Sequence, residues 1–163
     1  SAWPDITFDK TMQFHFNGER IDLMHFGPAH TTGDAAVFFR GHNAVHMGDV
    51  YNNSGYPFID AGNGGKFDGV IKFCSKTLKQ IDENTVVIPG HGPISDYQGL
   101  ADYIEMLTII RKRMMTLINK GASLEEVYSA KITKEWDKKQ GDPTRFINRA
   151  YMSLTHRILI EKR

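Results

Sequence analysis

The sequence predicts a mixed α/β (α+β) fold in which strands and one packed helix are followed by a purely helical region. Three observations predict it. Two pairs of apolar segments flank turn-forming residues before position 48. One amphipathic stretch then separates them from a further short strand. Beyond about residue 97, apolar residues recur only at helical spacing. The chain therefore divides into a strand-rich part, 1–96, and a helical part, 97–163, expected to pack on it.

Residues 12–16 and 20–26 are apolar-rich and separated by Asn17-Gly18, a pair suited to a two-residue type I′ turn. They read as an antiparallel hairpin. A second strand pair follows at 35–39 and 43–47, with Gly41 at its turn. Residues 48–66, rich in Gly, Asn and Pro, form a long loop, a length that is usually functional or disordered. Over 66–80, Phe67, Val70, Ile71, Cys74 and Leu78 recur at helical intervals. Residues 85–88 are a short buried-type strand stopped by Pro89-Gly90. Next, Leu100, Tyr103, Leu107, Ile110, Met114 and Leu117 mark one face of a helix over 97–119. Gly121 suits a left-handed helix end, and Ser123-Leu-Glu-Glu126 is a capping box for a short helix. Asp142-Pro143 opens the last helix, whose core face is Phe146, Ala150, Leu154 and Ile158.

At 163 residues the chain fits one domain, or one domain with a helical appendage. Its apolar fraction of 40% and charged fraction of 24% are those of an ordinary soluble protein. A net charge of +1 gives no electrostatic case for nucleic acid or an anionic membrane. No apolar run approaches the roughly 20 residues that cross a bilayer. The lone Cys74 rules out an internal disulfide framework and leaves the compartment, cytoplasmic or periplasmic, open. The opening Ser1-Ala-Trp-Pro reads as mid-protein sequence, so a further segment upstream is expected.

Three strand-to-loop junctions carry metal-competent side chains. They are Gly27-Pro-Ala-His-Thr-Thr-Gly-Asp34, Met47-Gly-Asp-Val50 and Val87-Ile-Pro-Gly-His-Gly-Pro93. Each of His30, Asp49 and His91, taken singly, also reads as a loop histidine, a turn-forming Asp or a plain tight turn. Together they suggest one site, because strand ends gather ligands in α/β folds. His15, His25, His42 and His46 lie on or beside strands and read as structural or solvent-facing, and His156 falls on the last helix away from any cluster. Cys74 reads as a small core residue, and the basic run 111–113 as a solvated helix face.

These motifs resemble those of the metallo-β-lactamase-fold hydrolases, specifically their second half. The stretch from Gly48 through Tyr51-Asn-Asn-Ser-Gly-Tyr-Pro-Phe-Ile-Asp60 to Gly65, and Gly121-Ala-Ser-Leu-Glu-Glu126, are similar to one branch of that family. The resemblance covers essentially the whole chain. It implies the C-terminal half of an αββα sandwich followed by a helical tail. It also implies two zinc ions in the intact protein, with His30 on the first, His91 on the second and Asp49 bridging. The family's upstream H-x-H-x-D-H segment is absent here, so the three ligands present fall short of the roughly four that each zinc takes. The implied activity is hydrolysis of a small-molecule substrate by a metal-bound hydroxide, with Asp49 as the catalytic carboxylate. The isolated chain is expected to be inactive, with partial or no zinc occupancy. Asp34 reads either as a carboxylate orienting a ligand imidazole or as a turn residue. Tyr51, Tyr56, Phe58 and Asp60 read either as pocket lining or as packing that anchors their loop.

A half-sandwich leaves one apolar sheet face uncovered, so a homo-oligomer or pairing with the missing N-terminal half is expected. Two other readings stand beside the hydrolase. The chain is an assembly or interaction domain with a vestigial metal site, or an iron-dependent redox protein of the same fold, since His and Asp ligands suit iron too.

Overall fold

The computed structural model of the protein describes residues 4–161, with side chains to Thr155. Ser1-Ala-Trp and the side chains of His156 and Ile158 lie outside the described residues.

The hairpin forms as its sequence predicts. Strands β1 (Thr11–Phe16) and β2 (Glu19–Met24) pair antiparallel across Asn17 and Gly18, both at positive φ (50° and 77°), the signature of a type I′ turn. Strands β3 (Ala36–Phe39) and β4 (Ala44–His46) follow, with β3 antiparallel to both β2 and β4. At their turn the left-handed residue is Asn43 (φ 46°), not Gly41. Gly41 instead lies against Glu19, whose carboxylate accepts its N–H at 2.7 Å.

After β4 the chain runs through the long loop into helix α1 (Phe67–Leu78) and returns as β5 (Val86–Ile88), parallel to β4. Parallel neighbours need such a crossover. The result is one five-stranded sheet in the order β1-β2-β3-β4-β5. The loop holds only two short 3-10 turns, Gly48–Val50 and Ala61–Asn63.

The helical region contains one element more than its sequence suggests. Helix α2 (Tyr97–Ile118) is capped by Asp96, and α3 (Leu124–Ser129) opens on the expected capping box. A further helix, α4 (Lys134–Gln140), precedes α5 (Thr144–Glu161). Helix α4 buries no residue fully, so it leaves no apolar stripe to read. Of the basic run 111–113, Lys112 is exposed, while Arg111 and Arg113 are half-buried and engaged in ion pairs. Arg111 donates to Asp68 of α1 and Arg113 to Glu135 of α4, so the two tie α2 to its neighbours.

Period-two alternation sets the faces of the sheet. Ala36, Phe38, Val45 and Val87 are buried in one cluster with Val70, Phe73 and Cys74 of α1 and Leu100, Leu107, Ile110 and Met114 of α2. Phe146, Ala150 and Leu154 of α5 join it. On the opposite face, Phe14, Ile21 and Phe39 lie in register, as do Leu23 and Val37. Phe14 and Val86 are each 40% exposed there, and the others are half-buried. This second face is apolar and partly open. Among the described residues, no helix is long and apolar enough to cross a membrane.

Candidate functional site

The loop bearing His30 is held from within by Asp34. One carboxylate oxygen accepts from the backbone N–H of Ala29 (3.2 Å) and Thr31 (2.9 Å), and the other from the Thr31 hydroxyl (3.1 Å). Asp34 is therefore a turn residue that fixes the backbone beneath His30 and makes no contact with its ring. From outside, Asp60 N–H donates to the His30 carbonyl and Lys66 N–H to the Ala29 carbonyl. Helix α1 packs against the same loop through Gly69, where a Cβ would run into the Pro28 carbonyl.

Asp49 sits in the 3-10 turn that ends β4, and His91 follows β5. The parallel pairing of those strands brings the two together, and backbone bonds lock them. Gly90 N–H donates to the Gly48 carbonyl at 2.8 Å, and Asn53 N–H to the His91 carbonyl at 2.8 Å. Position 90 must be glycine, because a Cβ there would stand 2.5 Å from the Gly48 carbonyl carbon.

The three side chains converge. His91 Nε2 lies 3.2 Å from one Asp49 oxygen and His30 Nε2 lies 3.6 Å from the other. Exposure is graded: the His30 side chain is 15% exposed, Asp49 47% and His91 63%, so the group opens toward His91.

The His30 tautomer carries further information. Its Nδ1 lies 2.7 Å from the Phe58 carbonyl, an acceptor, so the ring nitrogen there donates. In neutral imidazole the lone pair then sits on Nε2, facing a carboxylate oxygen. Two acceptors facing each other across 3.6 Å suit a shared cation, a proton or a bridging water. The donor types and the locked tautomer fit a metal. The donor number does not complete one, because each carboxylate oxygen meets a single imidazole. Accordingly, among the described residues no group of three or more His, Cys, Asp or Glu side chains surrounds one point closely enough to hold an ion.

The long loop divides by role. Tyr51 and Tyr56 are packing residues. Tyr51 is buried against Tyr103, its hydroxyl 2.8 Å from Ser95 Oγ, and Tyr56 stacks on Phe146 and donates to Asp137 at 2.8 Å. Phe58 is half-buried with its ring 5.8 Å from that of His30, and Asp60 accepts from Asn63 at 2.6 Å.

The other histidines with described side chains are engaged elsewhere. His15 meets Gln13, His42 meets Glu19, His25 Nδ1 meets the Asp34 carbonyl, and His46 accepts the Gly48 N–H. Cys74 is fully buried, and burial pushes its thiol well above the ordinary range. Sequence reasoning missed Arg145 and Arg149 of α5, whose guanidinium carbons stand 4.3 and 5.4 Å from the Phe58 ring centre. Their signal was an i, i+4 basic pair beside the core positions Phe146 and Ala150.

No protein-family model and no curated protein sequence matches the chain. Solved structures do. A metallo-β-lactamase from Pontibacter korlensis is 18% identical with a TM-score of 0.58, over 66% of this chain and 50% of that one. The inverting sec-alkylsulfatase Pisa1 from Pseudomonas sp. is 17% identical with a TM-score of 0.76, over 91% of this chain and 26% of that one. The DIM-1 metallo-β-lactamase is 20% identical with a TM-score of 0.52, over 61% and 46%. This chain thus spans half or less of the length of each. At such identities the likeness is one of fold, and it is consistent across all three. The chain has the metallo-β-lactamase fold, in a mixed α/β form that matches part of each of these larger proteins.

Proposed function

We infer that the chain is part of a metal-dependent hydrolase, with Asp49 bridging two zinc ions and His30 and His91 each holding one. The observation that carries this reading is the placement of two imidazole Nε2 atoms on opposite oxygens of one carboxylate. The His30 proton is committed to the Phe58 carbonyl, so its Nε2 is left as a donor to a cation. Cations held there would supply activation of water near neutral pH and neutralisation of charge on the reacting group. The remaining ligands, about two per ion, come from outside this chain, so the chain alone is inactive. The fold neighbours act on lactams or on alkyl sulfates, and the bond cleaved here belongs to that broad class of carbonyl and ester-type linkages.

A second reading concerns assembly. The open apolar sheet face of Phe14, Ile21, Leu23, Val37 and Phe39 supports its being covered, either by the remaining half of the sandwich or by a second copy of the chain. A covered sheet face also explains how a partial sandwich stays stable.

Calorimetric zinc titration of the protein and of His30→Ala, Asp49→Ala and His91→Ala tests the metal reading. Binding by the parent protein with at least tenfold weakening in each variant is expected. Equal zinc affinity in all four overturns the ligand assignment.

A further inference from the structure

Arg145 and Arg149 stand out among the described arginines. Arg20, Arg40, Arg111 and Arg113 each hold a carboxylate. Arg145 and Arg149 hold none among the described residues. Both lie over the Phe58 ring, and the ring of His30 lies 5.8 Å from that same aromatic. Arg145 is exposed and Arg149 half-buried. Stacking on an aromatic pre-orients a guanidinium without using its N–H groups.

Asp60 ties the two features together. Its backbone N–H donates to the His30 carbonyl at 3.0 Å, and its carboxylate accepts from the Asn63 amide at 2.6 Å. The loop that bears Phe58 and Asp60 is thereby tied directly to the backbone of His30. A single carboxylate offsets only part of the positive charge of two guanidiniums.

We propose that Arg145 and Arg149, carried on Phe58, hold an oxyanion group of the substrate beside the His30–Asp49–His91 cluster. The substrate class is therefore an anionic compound. Its oxyanion is either a planar carboxylate set apart from the cleaved bond or a tetrahedral sulfate or phosphate that is itself part of that bond. Two forked guanidiniums suit either geometry, because each offers paired donors to two oxygens. This inference rests on the hydrolase reading for its meaning, but the anion site is a property of the metal-free chain and can be measured without activity.

The test is calorimetric titration of the full chain, stripped of metal by chelation, with sodium sulfate and separately with sodium acetate at low ionic strength. Arg145→Gln/Arg149→Gln is expected to raise the Kd at least tenfold for one or both anions, while Arg145→Lys/Arg149→Lys keeps most of the affinity. Thermal unfolding checks that each variant is folded. A loss confined to sulfate assigns the tetrahedral group, and a loss confined to acetate assigns the carboxylate. No binding by the parent protein, or a Gln/Gln variant within twofold of it for both anions, overturns the proposal. Equal zinc affinity across the His30, Asp49 and His91 variants removes the ligand assignment and leaves the anion result standing.

Discussion

Asp34 shows how a residue can control a site it does not touch. It accepts three hydrogen bonds, from Ala29 N–H, Thr31 N–H and the Thr31 hydroxyl, and so holds the bend that presents His30. Asp34→Ala is expected to lower stability by about 2 kcal/mol, in line with hydrogen bonds to a charged group. Urea denaturation measures that loss, and zinc affinity should fall with it although no ligand is removed. An unchanged midpoint contradicts this role. Both readings of Asp34 were open in the sequence, because a short acidic residue after Thr-Thr-Gly serves either use. Only the bond directions separate them. The same holds for Tyr51 and Tyr56: their types suited a pocket wall, and their burial shows them to be anchors. His30, Asp49 and His91 were legible because each closes a strand on a glycine-bearing loop, and the structure brings all three together.

At the scale of elements, close approach decides what the sequence can tolerate. Gly69 lies inside α1, where alanine is intrinsically better by about 1 kcal/mol. Yet a Cβ at that position would meet the Pro28 carbonyl and come within 3.2 Å of Ala29 Cα, backbone that cannot swing aside. Overpacking of this kind costs about 1–3 kcal/mol, so Gly69→Ala is expected to destabilise despite its propensity gain. Thermal unfolding of that variant settles the sign. Sequence periodicity found α1, α2 and α5 because each buries an apolar stripe. It missed α4, which presents Trp136 beneath Arg113 and buries no residue fully, and so carries no period to detect.

Asp22 gives the sheet a pH dependence. Its carboxylate is buried in β2 and held well below its ordinary value of 3.8, most strongly by the Arg20 hydrogen bond and further by Arg40 and Gln13, against the cost of burial. A carboxyl depressed on folding contributes stability that is fully present above its unfolded value and drains away as pH falls through the acid range. Asp22→Asn should therefore cost about 2 kcal/mol at pH 7. The gap between parent and variant should narrow progressively below pH 4. Urea midpoints at pH 7 and pH 3 check this, and a constant gap contradicts it.

For the whole molecule, the organising fact is a sheet covered on one side. The inner face joins α1, α2 and α5 in a continuous cluster, while the outer face leaves Phe14 and Val86 40% exposed beside half-buried Ile21, Leu23, Val37 and Phe39. Leu23→Lys should reduce concentration-dependent association in sedimentation without a loss of inner-face packing. A parent chain that remains monomeric at high concentration contradicts self-association. The fold class was legible from the order of periods in the sequence, strands first and helices after. The open face was expected only through the half-sandwich that the family resemblance implies, and the outer-face residues of β1, β2 and β3 are indeed apolar and partly exposed. Neither Arg145 nor Arg149 was legible as part of the site, since their relation to Phe58 spans the length of the chain between the loop and the last helix.

The most direct test of the central claim is long-range proton–nitrogen NMR of the imidazoles during zinc addition. The account predicts that Nε2 of both His30 and His91 shifts together, that Nδ1 of His30 keeps its proton, and that Asp49→Ala abolishes the paired response. Zinc that leaves both resonances in place, or that shifts His42 or His46 instead, contradicts it.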